Sequence, residues 1–318
     1  MSRKVLHLDS NHPVITEGLE QLGFQNEQDY TSTYEEVLDK IEDYEGLIIR
    51  SRIPIDQRLL VKARNLKFIG RIGAGLENID LVEAEKQGIF LAAAPEGNRN
   101  AVAEHTLGLL LSLFNKLNIA DKEVRSGLWR REENRGIELD GKTVGIIGYG
   151  NMGKQFAKKL RGFDVNTLCF DLKPNVGDEN ARQVTIEELR EQTDVLSLHL
   201  PQTPKTIHLI DSAFIDQMKK SFWLLNTGRG SAVKTEDLVG ALKKGKIKGA
   251  GLDVLEYEST SFTSLFDQIY KPEAFSYLIN AENVILTPHV AGWSVESYYL
   301  LSKVVLDKIN SLYTKKDQ

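Results

Sequence analysis

The chain has 318 residues, enough for two domains, and its hydrophobic (41%) and charged (27%) fractions are those of an ordinary globular protein. A net charge of −5 argues against a general nucleic-acid binder, which carries a basic excess. The single cysteine, Cys169, excludes an internal disulfide. The most apolar helix candidate is interrupted by Glu104, His105, Asn115 and Lys116, and Val5 to Leu8 is too short for a signal-peptide core. A cytoplasmic protein with neither membrane nor nucleic-acid partner is therefore expected.

In chain order, the first half alternates short apolar runs with helical patterns. Lys4 to Leu8 predicts a strand, Val14 to Leu22 and Tyr34 to Tyr44 helices, and Leu47 to Arg50 a strand. Asp56 to Arg64 predicts a helix, Lys67 to Arg71 a strand, Ile79 to Gln87 a helix and Ile89 to Ala92 a strand. Such alternation implies parallel strands covered by helices. A polar loop, Pro95 to Asn100, precedes one long apolar helix from Ala101 to Ile119.

A second αβ series begins at Lys142. Val144 to Ile147 reads as a buried strand, followed by Gly148-Tyr-Gly150-Asn151-Met152-Gly153 and a helical stretch from Lys154 to Leu160. Val165 to Phe170 is the next strand and ends at Asp171. This order has a mechanism. Gly148 turns the chain off the strand, Gly150 lets a pyrophosphate approach the backbone, and Gly153 lets the helix pack on the sheet. Asp171 is placed to accept bonds from ribose hydroxyls. A P-loop is the sharper rival, because Gly148 to Lys154 fits Gly-x4-Gly-Lys. The next residue is Gln155, however, so the magnesium-binding hydroxyl is missing. Later strands are expected at Val195 to His199, Trp223 to Asn226, Ala250 to Val254 and Val284 to Leu286. Thr185 to Glu188 predicts a capping box, and Thr235 an N-cap before Glu236 to Leu242. The last helix, Val295 to Leu312, has no strand left to serve, so it is expected to return to the first domain.

In open α/β sheets ligands lie beyond the carboxyl ends of the strands. Arg229, Glu258 and His289 fall at such ends. A guanidinium can hold a substrate carboxylate and polarise the adjacent carbonyl. An imidazole beside a carboxylate can move the proton. Glu256 is as visible as Glu258, and His7, His12, His105, His199 and His208 are also available, so spacing alone does not choose among them.

The segment from Gly148 to Gly292 resembles the D-isomer-specific 2-hydroxyacid dehydrogenase family. The likeness is carried by GYGNMG at 148–153 with Asp171, SLHLP at 197–201, NTGRG at 226–230, GLDVLEYE at 251–258 and TPHVAG at 287–292. It implies a catalytic triad of Arg229, Glu258 and His289. It also implies an NAD site formed by Gly148, Gly150, Asn151, Met152, Gly153, Asp171, Leu200, Pro201, Thr227, Gly228, Asp253, Ala291 and Gly292, with no metal. Asp253 is similar to the residue that meets the nicotinamide carboxamide. GLIIRS at 46–51, GRIGAGLENID at 70–80 and APEGN at 94–98 look like the phosphoglycerate dehydrogenase branch. They imply substrate contacts from Arg50, Ser51, Arg71, Ala74, Gly75 and Asn98, with Arg50 and Arg71 near a substrate phosphate.

The resemblance implies two Rossmann-like, doubly wound parallel-sheet domains. The NAD domain, 98–290, is inserted into a discontinuous flavodoxin-like substrate domain, 1–97 and 291–318. It also implies a homodimer, using the Ala101–Ile119 helix and the Trp129 segment, and oxidation of D-3-phosphoglycerate on the way to serine. The chain ends near Gln318, like short forms that lack a regulatory domain. Two departures stand out: Arg52 adds a third cation beside Arg50, and an extended loop is expected at 259–278. A hydroxypyruvate, glyoxylate or D-lactate reductase, and an NAD(H)-sensing corepressor of the same fold, are the alternatives.

Overall fold

The computed structural model describes residues 3–258 and 272–314. These form two compact units, one comprising the described residues through Asn98 and from Trp293 onward, the other running from Arg99 to Gly292. In the first unit, strands β1 (Lys4–His7), β2 (Gln25–Gln28), β3 (Gly46–Ile49), β4 (Phe68–Arg71) and β5 (Phe90–Ala93) make a parallel sheet in the order β2-β1-β3-β4-β5. This is the flavodoxin-like order. In the second unit, β6 (Thr143–Ile147), β7 (Asn166–Phe170), β8 (Arg182–Gln183), β9 (Val195–Leu198), β10 (Phe222–Asn226), β11 (Ile247–Leu252) and β12 (Val284–Leu286) are also all parallel. Their order is β12-β11-β10-β9-β6-β7-β8. Strands β6, β9 and β10 are buried at every position, which is why they read as unbroken apolar runs. The strand order reverses between β6 and β9, and the carboxyl end of that boundary is where a ligand crevice forms.

The last helix, Val295–Thr314, returns to the first unit. Its Leu301, Val305 and Ile309 share a core with Val5, Ile15, Leu19, Ile48 and Phe68. The fit is close: a Cβ on Gly18 would lie 2.1 Å from a Leu306 methyl carbon. The second unit is thus inserted into the first. Among the described residues no helix is long and apolar enough to cross a membrane.

Several local expectations are corrected. The long helix is two, Arg99–Phe114 and Leu117–Arg125, separated by a left-handed Lys116 (φ 51°). Thr235 is the first residue of its helix rather than the cap, and its N–H donates to Glu256 Oε2 at 2.8 Å. Thr185 does accept from the Glu188 N–H (3.2 Å), but the Glu188 carboxylate turns to Arg182 and Gln192 instead of closing the box. Of the loop expected at 259–278, residues 259–271 lie outside the described residues and Glu273–Asn280 is a helix.

Candidate active site

The glycine fingerprint forms as its spacing requires. Gly148 leaves β6 with φ +90°, and a Cβ there would lie 2.4 Å from the His199 carbonyl oxygen. A Cβ on Gly153 would lie 2.2 Å from the Gly148 carbonyl oxygen, so only glycine lets the Asn151–Lys159 helix start this close to the strand. Gly150 is different: a Cβ there would meet nothing within 4 Å. Open space therefore lies over a helix start that no side chain caps. The first-turn N–H groups, from Asn151 and Met152 onward, are left to an anion. At the end of β7, Asp171 accepts from the Tyr149 N–H (Oδ2, 2.8 Å) and the Lys173 N–H (Oδ1, 2.9 Å). Each oxygen keeps a further acceptor position for a ribose hydroxyl. The ends of β9 and β10 close beside this turn. A Cβ on Gly228 would lie 3.1 Å from the Leu200 nitrogen, Pro201 follows exposed, and buried Thr227 meets Thr106 hydroxyl to hydroxyl at 2.9 Å. This cradle fits a dinucleotide.

At the far edge of the same sheet, His289 and Glu258 are joined, His289 Nδ1 lying 2.7 Å from Glu258 Oε2. Glu258 is itself held by the Leu255 N–H, which donates to Oε1 at 2.5 Å. Asp253, just beyond β11, is 1% exposed and organises the loop that carries the histidine. Its Oδ1 accepts from Thr287 Oγ1 (2.5 Å) and the Val290 N–H (2.9 Å), its Oδ2 from the Ala291 N–H (2.8 Å), ahead of Gly292. The His289 N–H donates to the Asp253 carbonyl at 2.8 Å, with the histidine in the left-handed region, φ 55°. Arg229 stands after β10, the neighbour of β11, and its Nη1 donates to the Gly228 carbonyl at 2.8 Å. Asn226 supports this turn from both sides, donating to the Arg229 carbonyl (2.9 Å) and accepting from the Gly228 N–H (3.1 Å).

The other histidines separate by environment. Burial pushes the His199 imidazole down to about 4, so it is neutral at ordinary pH, with Nε2 against Ser197 Oγ at 2.9 Å. Burial also lowers His7, which bonds Asn26. His12 packs edge-on against Tyr298 and Tyr299. His105 lies 3.0 Å from Thr287 Oγ1 and 3.5 Å from Asp253 Oδ1, bracing the aspartate from the Arg99–Phe114 helix. His208 forms another imidazole–carboxylate pair, 2.5 Å from Glu256 Oε1. The bracing by His105 and Thr106 was missed from sequence, although two adjacent polar residues inside an apolar helix were a visible signal.

The profile described as the D-isomer specific 2-hydroxyacid dehydrogenase, NAD binding domain, matches residues 107–291. The chain belongs to this dehydrogenase family. It is 35% identical over 315 residues to a D-3-phosphoglycerate dehydrogenase of Methanocaldococcus jannaschii, covering 97% of this chain and 57% of the relative. It is 31% identical to a hydroxypyruvate reductase of Thermotoga maritima, covering 97% and 98%. A D-lactate dehydrogenase of Aquifex aeolicus, solved with NAD and lactic acid, superimposes with a TM-score of 0.84 at 26% identity, covering 98% and 96%. The chain spans about half the length of the curated phosphoglycerate dehydrogenases it matches.

In this family member the first unit brings its two expected arginines together at the sheet's carboxyl end. Arg71 closes β4 opposite Ile49, so Arg50 and Arg71 leave adjacent strands. The Arg71 guanidinium lies across Gly73, where a Cβ would come 1.2 Å from Nη1, and the Ala74–Gly75 turn follows. The Arg50 guanidinium lies 4.0 Å from the centre of the Trp293 ring, and its backbone N–H donates to Asp9 Oδ2 at 2.6 Å. Ser51 is half-buried beside it, and Asn98 Oδ1 is buried without a hydrogen-bond donor among the described residues. Arg52, the third cation, lines a cavity together with Ser51, but its guanidinium is engaged within the fold. Its Nε, Nη1 and Nη2 donate to the carbonyls of Leu8 (2.9 Å), Ser32 (2.6 Å) and Asp29 (3.1 Å), so every guanidinium nitrogen is anchored inside the fold.

Proposed function

We propose that the protein is an NAD-dependent dehydrogenase that oxidises D-3-phosphoglycerate to 3-phosphooxypyruvate, the step that opens the route to serine. The observation that carries the substrate choice is the pair Arg50 and Arg71 on neighbouring strand ends. Two guanidinium forks match the oxygens of a phosphate dianion. Ser51, the Ala74–Gly75 backbone and Asn98 would complete the substrate contacts. In the second unit Arg229 would hold the carboxylate and polarise C2–O, and His289 would take the C2 hydroxyl proton. Glu258 orients the ring through Nδ1 and balances the positive charge that the ring then carries. Bound NAD supplies the acceptor for the hydride leaving C2. Asp171 would favour NAD over NADP, because a second anion at the ribose is repelled. Asp253 keeps one acceptor position on Oδ2 for the carboxamide while it pins the His289 loop.

Steady-state turnover with a panel of 2-hydroxy acids tests this reading. The expected result is a preference for 3-phosphoglycerate over D-glycerate of at least about 100-fold in kcat/KM. Equal use of D-glycerate would sink the phosphate pocket and leave the general class. A hydroxypyruvate or glyoxylate reductase is the second reading, favoured by the Thermotoga relative that this chain spans almost end to end. A corepressor would show NAD binding without turnover on any member of the panel, and the occupied triad positions weigh against it. The same proposal includes a cytoplasmic homodimer, supported by the exposed apolar side chains Leu117, Val124, Leu128, Trp129 and Ile137.

A further inference from the structure

We propose that Trp293 is a specificity-determining positioning residue, which holds the Arg50 guanidinium flat so that its in-plane N–H donors stay available to an anionic group of the substrate. This role rests on the reading that Arg50 meets substrate. It falls to a residue outside the motifs that carry the family resemblance.

The two neighbouring arginines use their donors in opposite ways. Arg52 spends Nε, Nη1 and Nη2 on three backbone carbonyls. Arg50 spends none: among the described residues no carbonyl or side chain accepts a hydrogen bond from its guanidinium, although the group is half-buried. Holding a half-buried cation in one place costs rotamer freedom and desolvation, which a favourable contact must offset. The indole face of Trp293, 4.0 Å away, supplies that contact. Stacking acts on the face of the guanidinium and leaves its edge untouched, whereas a carboxylate partner would consume the edge. A competing carboxylate is at hand, since Asp9 takes the Arg50 backbone N–H and its charge is felt at the guanidinium. Trp293 thus favours the stacked arrangement over collapse onto Asp9. The indole is braced in turn. Tyr298 packs edge-on to it at 5.6 Å, and His12 packs on Tyr298 at 5.5 Å. The rings stand on the returning helix, the segment just before it and the loop after β1, all in the same unit. Trp293 itself is 47% exposed, too open to be explained as core.

The test measures kcat and KM for 3-phosphoglycerate and D-glycerate in wild type, Trp293→Ala, Trp293→Phe, Arg50→Ala and the double variant Arg50→Ala/Trp293→Ala. Inorganic phosphate serves as a competitive inhibitor whose Ki is read against whichever acid is turned over. Trp293→Ala should raise KM for the phosphorylated acid and the phosphate Ki by about 3- to 30-fold, the range of a partly desolvated cation–π contact. kcat and the D-glycerate KM should stay within about 2-fold, and Trp293→Phe should recover most of the loss. In the Arg50→Ala background, removing Trp293 should add less than about 2-fold, because the two act as one unit. Equal loss on both acids, or an undiminished Trp293→Ala effect without Arg50, would overturn the proposal. The phosphoglycerate reading fails separately, by wild type showing no preference for the phosphorylated acid. The 50–293 coupling in the phosphate Ki then still decides whether Trp293 sets an anion site.

Discussion

The charged side chains at the strand ends of the two sheets are held by different forces. In the seven-stranded unit they are fixed by buried or half-buried carboxylates that accept backbone N–H bonds. Asp253 binds Val290 and Ala291, Asp171 binds Tyr149 and Lys173, and Glu258 binds Leu255. In the five-stranded unit Asp9 does the same for the Arg50 backbone, but the two guanidinium groups are placed differently, Arg50 against an indole and Arg71 across a glycine. Charged hydrogen bonds are short and directional and place an atom firmly. Stacking restrains the plane of the Arg50 guanidinium and leaves its edge donors unspent. The first device suits proton and hydride transfer, where small misplacements are costly. The second suits recognition, where donors must remain for the ligand.

The largest effect that would break this contrast lies at His289. His289→Gln should keep NAD binding and lower kcat by roughly 100- to 10,000-fold. Near-normal turnover of the purified variant would move the chemistry elsewhere, His208 with Glu256 being another imidazole–carboxylate pair. Next come the arginines. Arg50→Ala or Arg71→Ala should cost on the order of 10- to 150-fold in kcat/KM for 3-phosphoglycerate and spare D-glycerate. Gly73→Ala sharpens that point: the added methyl would overlap Arg71 Nη1, a movable side-chain end, so Tm should hold while the phosphate preference falls. Unchanged preference in Gly73→Ala would mean that Arg71 does not work from its present position.

Asp171→Ser should narrow the NAD preference over NADP, a smaller change because Lys173 N–H and Tyr149 N–H are then left without their acceptor in both complexes. Wild-type enzyme with equal kcat/KM for both cofactors contradicts the assignment. The last effect concerns stability and leaves activity aside. His199 is depressed to about 4 in the fold, against an unfolded value near 6.5. Below pH 6.5 the unfolded chain therefore binds the extra proton first. Stability from this group is present above 6.5 and drains away as pH falls toward 4, by roughly 3 kcal/mol in all. His199→Gln should flatten Tm against pH across that window, and an unaltered slope would remove His199 as the cause.

The fingerprint and the central strands were legible in sequence because each answers a local demand: burial on both faces, a glycine at a clash. His289 and Glu258 were singled out only by the family resemblance, since their strand-end positions left Glu256 and five other histidines open. The misses share a cause. Strands β2 (Gln25–Gln28) and β8 (Arg182–Gln183) are polar edges, which no core obliges to be apolar. The break at Lys116 carries neither Gly nor Pro. The fate of Arg52 depends on carbonyls up to 44 residues distant in the chain. Trp293 and Arg50, far apart in sequence, meet only because the final helix returns to the first sheet.

The left-handed backbone at His289 has a consequence for any directed-evolution library built at this position. A non-glycine residue at φ 55° costs on the order of 1–2 kcal/mol, a cost that glycine escapes and asparagine reduces. Clones sorted for thermal survival alone should therefore drift toward His289→Gly or His289→Asn, and clones sorted for turnover should return to histidine.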